Sequence, residues 1–200
     1  MKQTLVTLDL EGVLTPEIWI AVAERTGLAE LRRTTRDEPD YDKLMRGRLQ
    51  ILERHDITLS RIQDVIGGLA PLPGALEFLN ALRAAVPVLI VSDTFEQFAQ
   101  PLLRQLGWPV LLCHRLVVEH DRITGYQLRM ADQKRAAVRA MQSVNYRVVA
   151  VGDSFNDTTM LAQADHGLLF HAPANVVAQF PQFPSAPDYP ALLAAILPRR

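Results

Sequence analysis

Three short apolar runs, each ending in a carboxylate-bearing turn, constrain this chain more than any other feature. Thr4-Leu5-Val6-Thr7-Leu8 leads into Asp9, Glu11 and Gly12; Val86 to Val91 leads into Ser92-Asp93-Thr94; Val148 to Val151 leads into Gly152-Asp153-Ser154. Apolar runs of this length, rich in β-branched residues and bounded by turn chemistry, read as buried strands. Between and after them, Leu76 to Ala85, Phe95 to Leu106, Lys134 to Gln142 and Asp157 to Ala164 carry apolar residues at the three- and four-residue spacing of helices. Strands alternating with helices predict an α/β fold with a parallel sheet covered on both faces and its function at the carboxyl ends of the strands. Further strands are expected at Pro109 to His114 and Gly167 to Phe170. A hairpin is expected from Leu116 to Leu128, turning through Glu119 to Arg122, where His120-Asp121 supplies the polar turn.

The interval 16–71 shows helical patterns, punctuated by Pro39 and Gly67-Gly68, and no convincing strand. It reads as a helical cap inserted into a discontinuous core of residues 1–15 and 72–200. A chain of 200 residues has room for one α/β core and such an insertion, but not for two full domains. Twenty-one Lys and Arg against 22 Asp and Glu leave a net charge of -1, so no global field favours nucleic acid or an anionic membrane as partner. Phosphate-binding charge must then be local. The single Cys113 has no internal disulfide partner and reads as a small core residue. The run Leu5 to Leu8 is too short for a signal peptide or a membrane span, and a cytoplasmic location is expected. Oligomeric state is left open, a homo-oligomer included.

The strand ends carry the chemistry. Asp9 and Glu11 alternate with Leu10, so their side chains can converge on one side of the loop while Leu10 packs away. The same pair also fits two solvated acids at a strand end. Ser92-Asp93-Thr94 offers hydroxyl and backbone N–H groups at the expected start of a helix, a place for phosphate oxygens or simply a helix cap. Gly152-Asp153-Ser154-Phe155-Asn156-Asp157 is denser in oxygen ligands than a turn without a cation needs, and hard oxygens suit Mg²⁺. Lys134 can neutralise phosphate, with Asp157 holding its ammonium in place.

Taken in order, Asp-x-acid, Ser-Asp-Thr, Lys and Gly-Asp-Ser-x-Asn-Asp resemble the four motifs of the haloacid-dehalogenase superfamily and span nearly the whole chain. The resemblance implies a Rossmann-like parallel sheet with an inserted cap and a phosphohydrolase or phosphotransferase. It implies Asp9 as nucleophile, Glu11 as general acid and base, and Ser92, Asp93, Lys134 and Asn156 around the phosphoryl group. It also implies a Mg²⁺ ion on the carboxylates of Asp9 and Asp153 and the main-chain carbonyl of Glu11. Glu11 departs from the usual aspartate by one methylene, although an acid at this position argues against dehalogenase chemistry.

Within the superfamily, Asp9 to Glu17, the helical insertion carrying Arg48, Ser92-Asp93-Thr94 and the Gly152 motif together resemble the phosphoserine phosphatases. The run Leu8 to Ile20, the segment 34–42, Phe170-His171-Ala172-Pro173 and Phe180-Pro181-Gln182-Phe183-Pro184 carry a closer likeness to one branch of them, the branch that also transfers phosphate to homoserine. It implies O-phospho-L-serine as substrate and L-homoserine as acceptor, with Glu17 for the ammonium and Arg48 for the carboxylate. Serine and threonine biosynthesis are the implied settings. Two alternatives stay open: another small-molecule phosphatase of the same fold, and a non-catalytic phosphoamino-acid-binding module. His55, His114 and His171 lack the spacing of a metal site and are expected in structural or surface roles, while Trp19 and Trp108 are expected to pack.

Overall fold

Alternation along the apolar runs becomes the two faces of one sheet. In the computed structural model, which describes residues 2–34, 37, 38 and 40–197, seven strands form that sheet. They are β1 (Gln3–Leu8), β2 (Val88–Phe95), β3 (Leu111–Glu119), β4 (Arg122–Gln127), β5 (Tyr146–Gly152), β6 (His166–Phe170) and β7 (Ser185–Ala186), in the order β4-β3-β2-β1-β5-β6-β7. Val6, Leu8, Ile90, Val149, Val151, Leu168 and Phe170 point to one face, against α4 (Ala75–Ala85) and α9 (Tyr189–Ile196). Their sequence neighbours Leu5, Leu89, Val91, Val148, Ala150 and Leu169 point to the other, against α6 (Gln133–Ser143), α7 (Thr158–Gln163) and α8 (Ala174–Gln179). Strands apolar on both sides are what a parallel sheet sandwiched between helices requires.

The sheet is parallel except at one edge, where β4 runs antiparallel to β3. There the structure corrects the expected separation of strand 109–114 from the hairpin. β3 is one continuous strand that pairs with β2 through its first half and with β4 through its second. His120 and Asp121 turn the hairpin at φ of 50° and 66°, the left-handed conformation that matches the strand twist in a two-residue turn. β7 was not anticipated, because two residues carry no periodicity.

A second correction concerns Ser92-Asp93-Thr94. These residues continue β2 and do not open the next helix, since α5 (Glu96–Gln105) begins only after Phe95. The β2–β3 register shifts between Val91 and Phe95, so the backbone stays extended there while leaving regular ladder pairing.

Residues 16–71 contain α1 (Ile18–Thr26), a 3-10 turn over Ala29–Arg32, α2 (Tyr41–Arg54) and α3 (Leu59–Gly67). Thr35, Arg36 and Pro39, part of the 34–42 segment singled out above, lie outside the described residues. The apolar stripes of these helices, including Ile18, Val22, Met45, Leu52, Ile62 and Ile66, do not close on themselves. They bury against Phe98 and Leu102 of α5 and against Leu116 and Ile123 of the hairpin. The hairpin turn also caps α3: Leu59 N–H donates to the Asp121 carbonyl at 2.8 Å, and Ser60 N–H and Oγ donate to Asp121 Oδ1 at 3.0 and 2.9 Å. Trp19 packs as expected, edge-on to Phe98 at 5.4 Å, whereas Trp108 is 60% exposed, contrary to expectation. Among the described residues no helix is long and apolar enough to cross a membrane.

Candidate active site

β1 lies where the strand order reverses, with β2 on one side and β5 on the other, so a crevice opens beyond its carboxyl end. All three carboxylate turns meet there, around a cavity of about 360 Å³ lined by Asp9, Glu11, Glu17, Arg48, Ser92, Asp93, Lys134, Asp153 and Asn156 among others. Asp9 is held by its own backbone: its N–H donates to the Val151 carbonyl at 3.0 Å, and its Oδ1 accepts from Leu10 N–H at 2.7 Å. Asp9, Asp153 and Asp157, all buried, offer oxygens within 4.8 Å of one another.

Both oxygens of Asp157 are taken by groups of its own turn and by the lysine. Oδ2 accepts from the N–H groups of Asp153 and Ser154 at 3.0 and 3.1 Å, and Oδ1 accepts from Lys134 Nζ at 2.7 Å. It therefore shapes the turn and anchors the lysine. A side chain at Gly152 would meet Asp157 Cγ at 2.3 Å, which is why the turn needs glycine. At Gly12, φ is +78° and an added Cβ would lie 2.5 Å from Asp153 Cγ. The loop after Asp9 thus approaches Asp153 as closely as a backbone without a side chain allows.

Lys134, 2% exposed, also donates to Asp9 Oδ2 at 2.9 Å and lies 3.5 Å from Asp93 Oδ2. Burial opposes its charge, but Asp157, Asp9 and Asp93 outweigh burial and hold the ammonium well above the usual lysine range. One cation does not balance this many acids. Burial, only partly opposed by Lys134 and reinforced by Asp157 and Asp153, pushes the Asp9 carboxyl up. Burial, Asp157 and Glu17 likewise push Asp153 up to about 7. The remaining negative charge and the hard-oxygen donor set fit a divalent cation.

Glu11 accepts from Ile18 N–H at the start of α1 at 2.8 Å, a bond its extra methylene allows it to reach. Burial and the neighbouring Glu17 push its carboxyl up to about 7, so near neutrality it can both hold and release a proton. Ser92 is 2% exposed, and its Oγ accepts from Thr94 N–H at 3.4 Å. Asn156 Nδ2 donates to Asp93 Oδ2 at 2.9 Å.

Also lining the cavity, Glu17 sits just before α1 and Arg48 is buried on α2. The Arg48 guanidinium lies 4.5 Å over the Trp19 ring, and its Nη2 donates to the Arg33 carbonyl at 2.8 Å. Its Nε is buried without a partner among the described residues. A fixed guanidinium with a buried donor to spare is suited to an incoming carboxylate.

Of the candidate residues read from sequence, all but Asp157 line this cavity, and Asp157 is fully buried against Lys134. Tyr41, His114 and Gln133 were not among them. Tyr41 Oη donates to the Asp93 carbonyl at 3.3 Å, and Gln133 Nε2 donates to the Ser92 carbonyl at 2.7 Å. No local pattern marks a Gln beside Lys134 or a His on an apolar strand as a site residue. His171 lines the cavity, with its Nε2 3.2 Å from the Pro187 carbonyl.

Residues 4–165 match the family model of haloacid dehalogenase-like hydrolases. The chain is 59% identical over 186 residues to a phosphoserine phosphatase of Pseudomonas syringae pv. tomato, covering 92% of this chain and 78% of that one. It is also 59% identical over 183 residues to phosphoserine phosphatase ThrH of Pseudomonas aeruginosa, covering 91% and 89%. A solved phospho-aspartyl intermediate analogue of phosphoserine phosphatase shares the fold, with a TM-score of 0.81 at 20% identity over 98% of this chain and 100% of that one.

Proposed function

The chain belongs to the haloacid dehalogenase-like hydrolases, and on that premise we propose that it hydrolyses O-phospho-L-serine through a phosphorylated Asp9 and passes the same phosphoryl group to homoserine. The observation that carries this reading is one cavity lined by two chemically distinct sets of side chains. Asp9, Lys134 and Ser92 come from the sheet and the helix packed on it, and Glu17 and the buried Arg48 from residues 16–71. A phosphate ester of a small amino alcohol has matching ends: a dianion to one side, an ammonium and a carboxylate to the other. In this reading residues 16–71 act as the cap that supplies the amino-acid end.

An Asp9 carboxylate oxygen attacks phosphorus, and the bond from phosphorus to the serine oxygen breaks. Glu11, protonated, gives its proton to the departing alkoxide. Ser92 Oγ, Lys134 and Asn156 donate to the phosphoryl oxygens, where charge must be stabilised. Water or the homoserine hydroxyl then gives its proton to Glu11 and attacks phosphorus, restoring the Asp9 carboxylate. The carboxylates of Asp9 and Asp153 and the main-chain carbonyl of Glu11 would hold a Mg²⁺ ion, which supplies charge neutralisation at the phosphoryl oxygens when bound.

The test is a product assay with Mg²⁺, O-phospho-L-serine and increasing homoserine, separating inorganic phosphate from O-phosphohomoserine. Both products are expected, in competition. Phosphate alone at every homoserine concentration would remove the transfer half. A tenfold higher kcat/KM for an unrelated phosphate ester, about 1.4 kcal/mol of transition-state binding, would favour a phosphatase of different specificity.

A further inference from the structure

Two buried polar side chains outside the machinery just described converge on the strand end that carries Ser92. His114 on β3 is 5% exposed, and Gln133 at the start of α6 is 2% exposed. Polar groups this deeply buried are tolerated when their hydrogen bonds are satisfied, and here the partners are specific. Arg129 N–H donates to His114 Nδ1 at 3.2 Å, which places the proton of the neutral ring on Nε2. That nitrogen lies 3.5 Å from Asp93 Oδ1. Gln133 Nε2 donates to Asp93 Oδ1 at 3.1 Å and to the Ser92 carbonyl at 2.7 Å, while its Oε1 accepts from Arg129 Nε at 3.2 Å. Turned over, the amide oxygen would face the Ser92 carbonyl and Asp93 Oδ1, both acceptors, and its NH₂ the Arg129 guanidinium. Gln133 Nε2 also lies 3.2 Å from His114 Nε2, so the two side chains are in direct contact.

Irregular pairing of β2 explains why such an anchor is needed. Between Val91 and Phe95 the register with β3 shifts. Carbonyls leaving a ladder need other acceptor bonds, and Gln133 takes that of Ser92 while Tyr41 takes that of Asp93. Asp93 is then a bridge. Its Oδ1 faces His114 and Gln133, and its Oδ2 holds Asn156 at 2.9 Å and stands 3.5 Å from Lys134.

We infer that His114 and Gln133 are positioning residues that, through Asp93, set the phosphoryl-binding geometry of Ser92, Asn156 and Lys134. The inference rests on the proposed phosphatase reading only in taking this cavity end as the phosphoryl site, and it predicts an effect blind to the rest of the substrate. Misplacement by about 1 Å can cost about 100-fold in rate. Gln133→Leu and His114→Leu are therefore expected to lower kcat by about that factor on both O-phospho-L-serine and an aryl phosphate, leaving the ratio between the two substrates unchanged. His114→Gln, which keeps a donor near the Nε2 position, is expected to recover most of the rate. Orthophosphate binding by calorimetry in the presence of Mg²⁺ gives a readout independent of turnover and should weaken in the leucine variants. Thermal unfolding separates this from a fold defect: the leucine variants leave the Ser92 carbonyl or Asp93 Oδ1 short of a donor and should melt below the parent, yet in one cooperative transition above the assay temperature. Wild-type rates and phosphate affinity in both folded leucine variants would overturn the inference, as would a loss confined to phosphoserine. A parent protein that hydrolyses the aryl ester but not phosphoserine would overturn the substrate assignment alone.

Discussion

Asp9 is the residue on which the rest of the site turns, and its surroundings make its replacement informative. Asp9→Asn keeps the shape and the acceptor for Leu10 N–H but removes the nucleophilic charge. It is expected to fold, to form no hydroxylamine-sensitive phosphoenzyme after acid quench, and to lose at least about 1,000-fold in turnover, given that an amide is a poor nucleophile. Gly12→Ala tests the close approach on the other side of the cation site. The added methyl would lie 2.5 Å from Asp153 Cγ in a backbone conformation that L-residues avoid, so the Mg²⁺ concentration for half-maximal activity should rise clearly above that of the parent. Arg48→Ala belongs to the amino-acid end. It should raise KM for phosphoserine much more than KM for an aryl phosphate without a carboxylate, and equal losses on the two would assign Arg48 to the fold or to the phosphate.

Among the elements, the β3–β4 hairpin has a part larger than its size. Its apolar residues Leu116 and Ile123 close the core of the inserted helices, and its turn caps α3 through Asp121. Asp121→Ala removes the acceptor of Ser60 N–H and Oγ at a left-handed position that alanine disfavours, and should lower the unfolding midpoint measured by calorimetry. Because the hairpin extends from the same strand that carries His114, the helices of residues 16–71 and the proposed phosphoryl site share one support. A periodicity argument finds this hairpin but not its partner. Antiparallel pairing is local, whereas α3 lies more than fifty residues away along the chain.

For the whole molecule, the buried acids around Asp9 mean that a bound divalent cation should be a component of stability as well as of catalysis. A ligand that binds only the folded state stabilises it by about 2.7 kcal/mol at a hundredfold excess over its dissociation constant. Adding Mg²⁺ to metal-free protein should raise the unfolding midpoint by several degrees, and Asp153→Asn should largely remove the rise. Much of this architecture is legible in one dimension. The alternation of Val6 and Leu8 with Leu5, and of Val149 and Val151 with Val148 and Ala150, dictates strands buried on both sides. Turn chemistry at their ends places Asp9, Ser92 and Asp153 together once the sheet is parallel. Other features depend on contacts between distant segments, where sequence spacing carries little information. The register shift keeps Ser92-Asp93-Thr94 in β2, the long β3 serves two partners, and buried His114 and Gln133 meet at Asp93. Backbone carbonyls freed from a ladder must find donors wherever the fold brings them, and only the packed chain selects Gln133 and Tyr41 for that task.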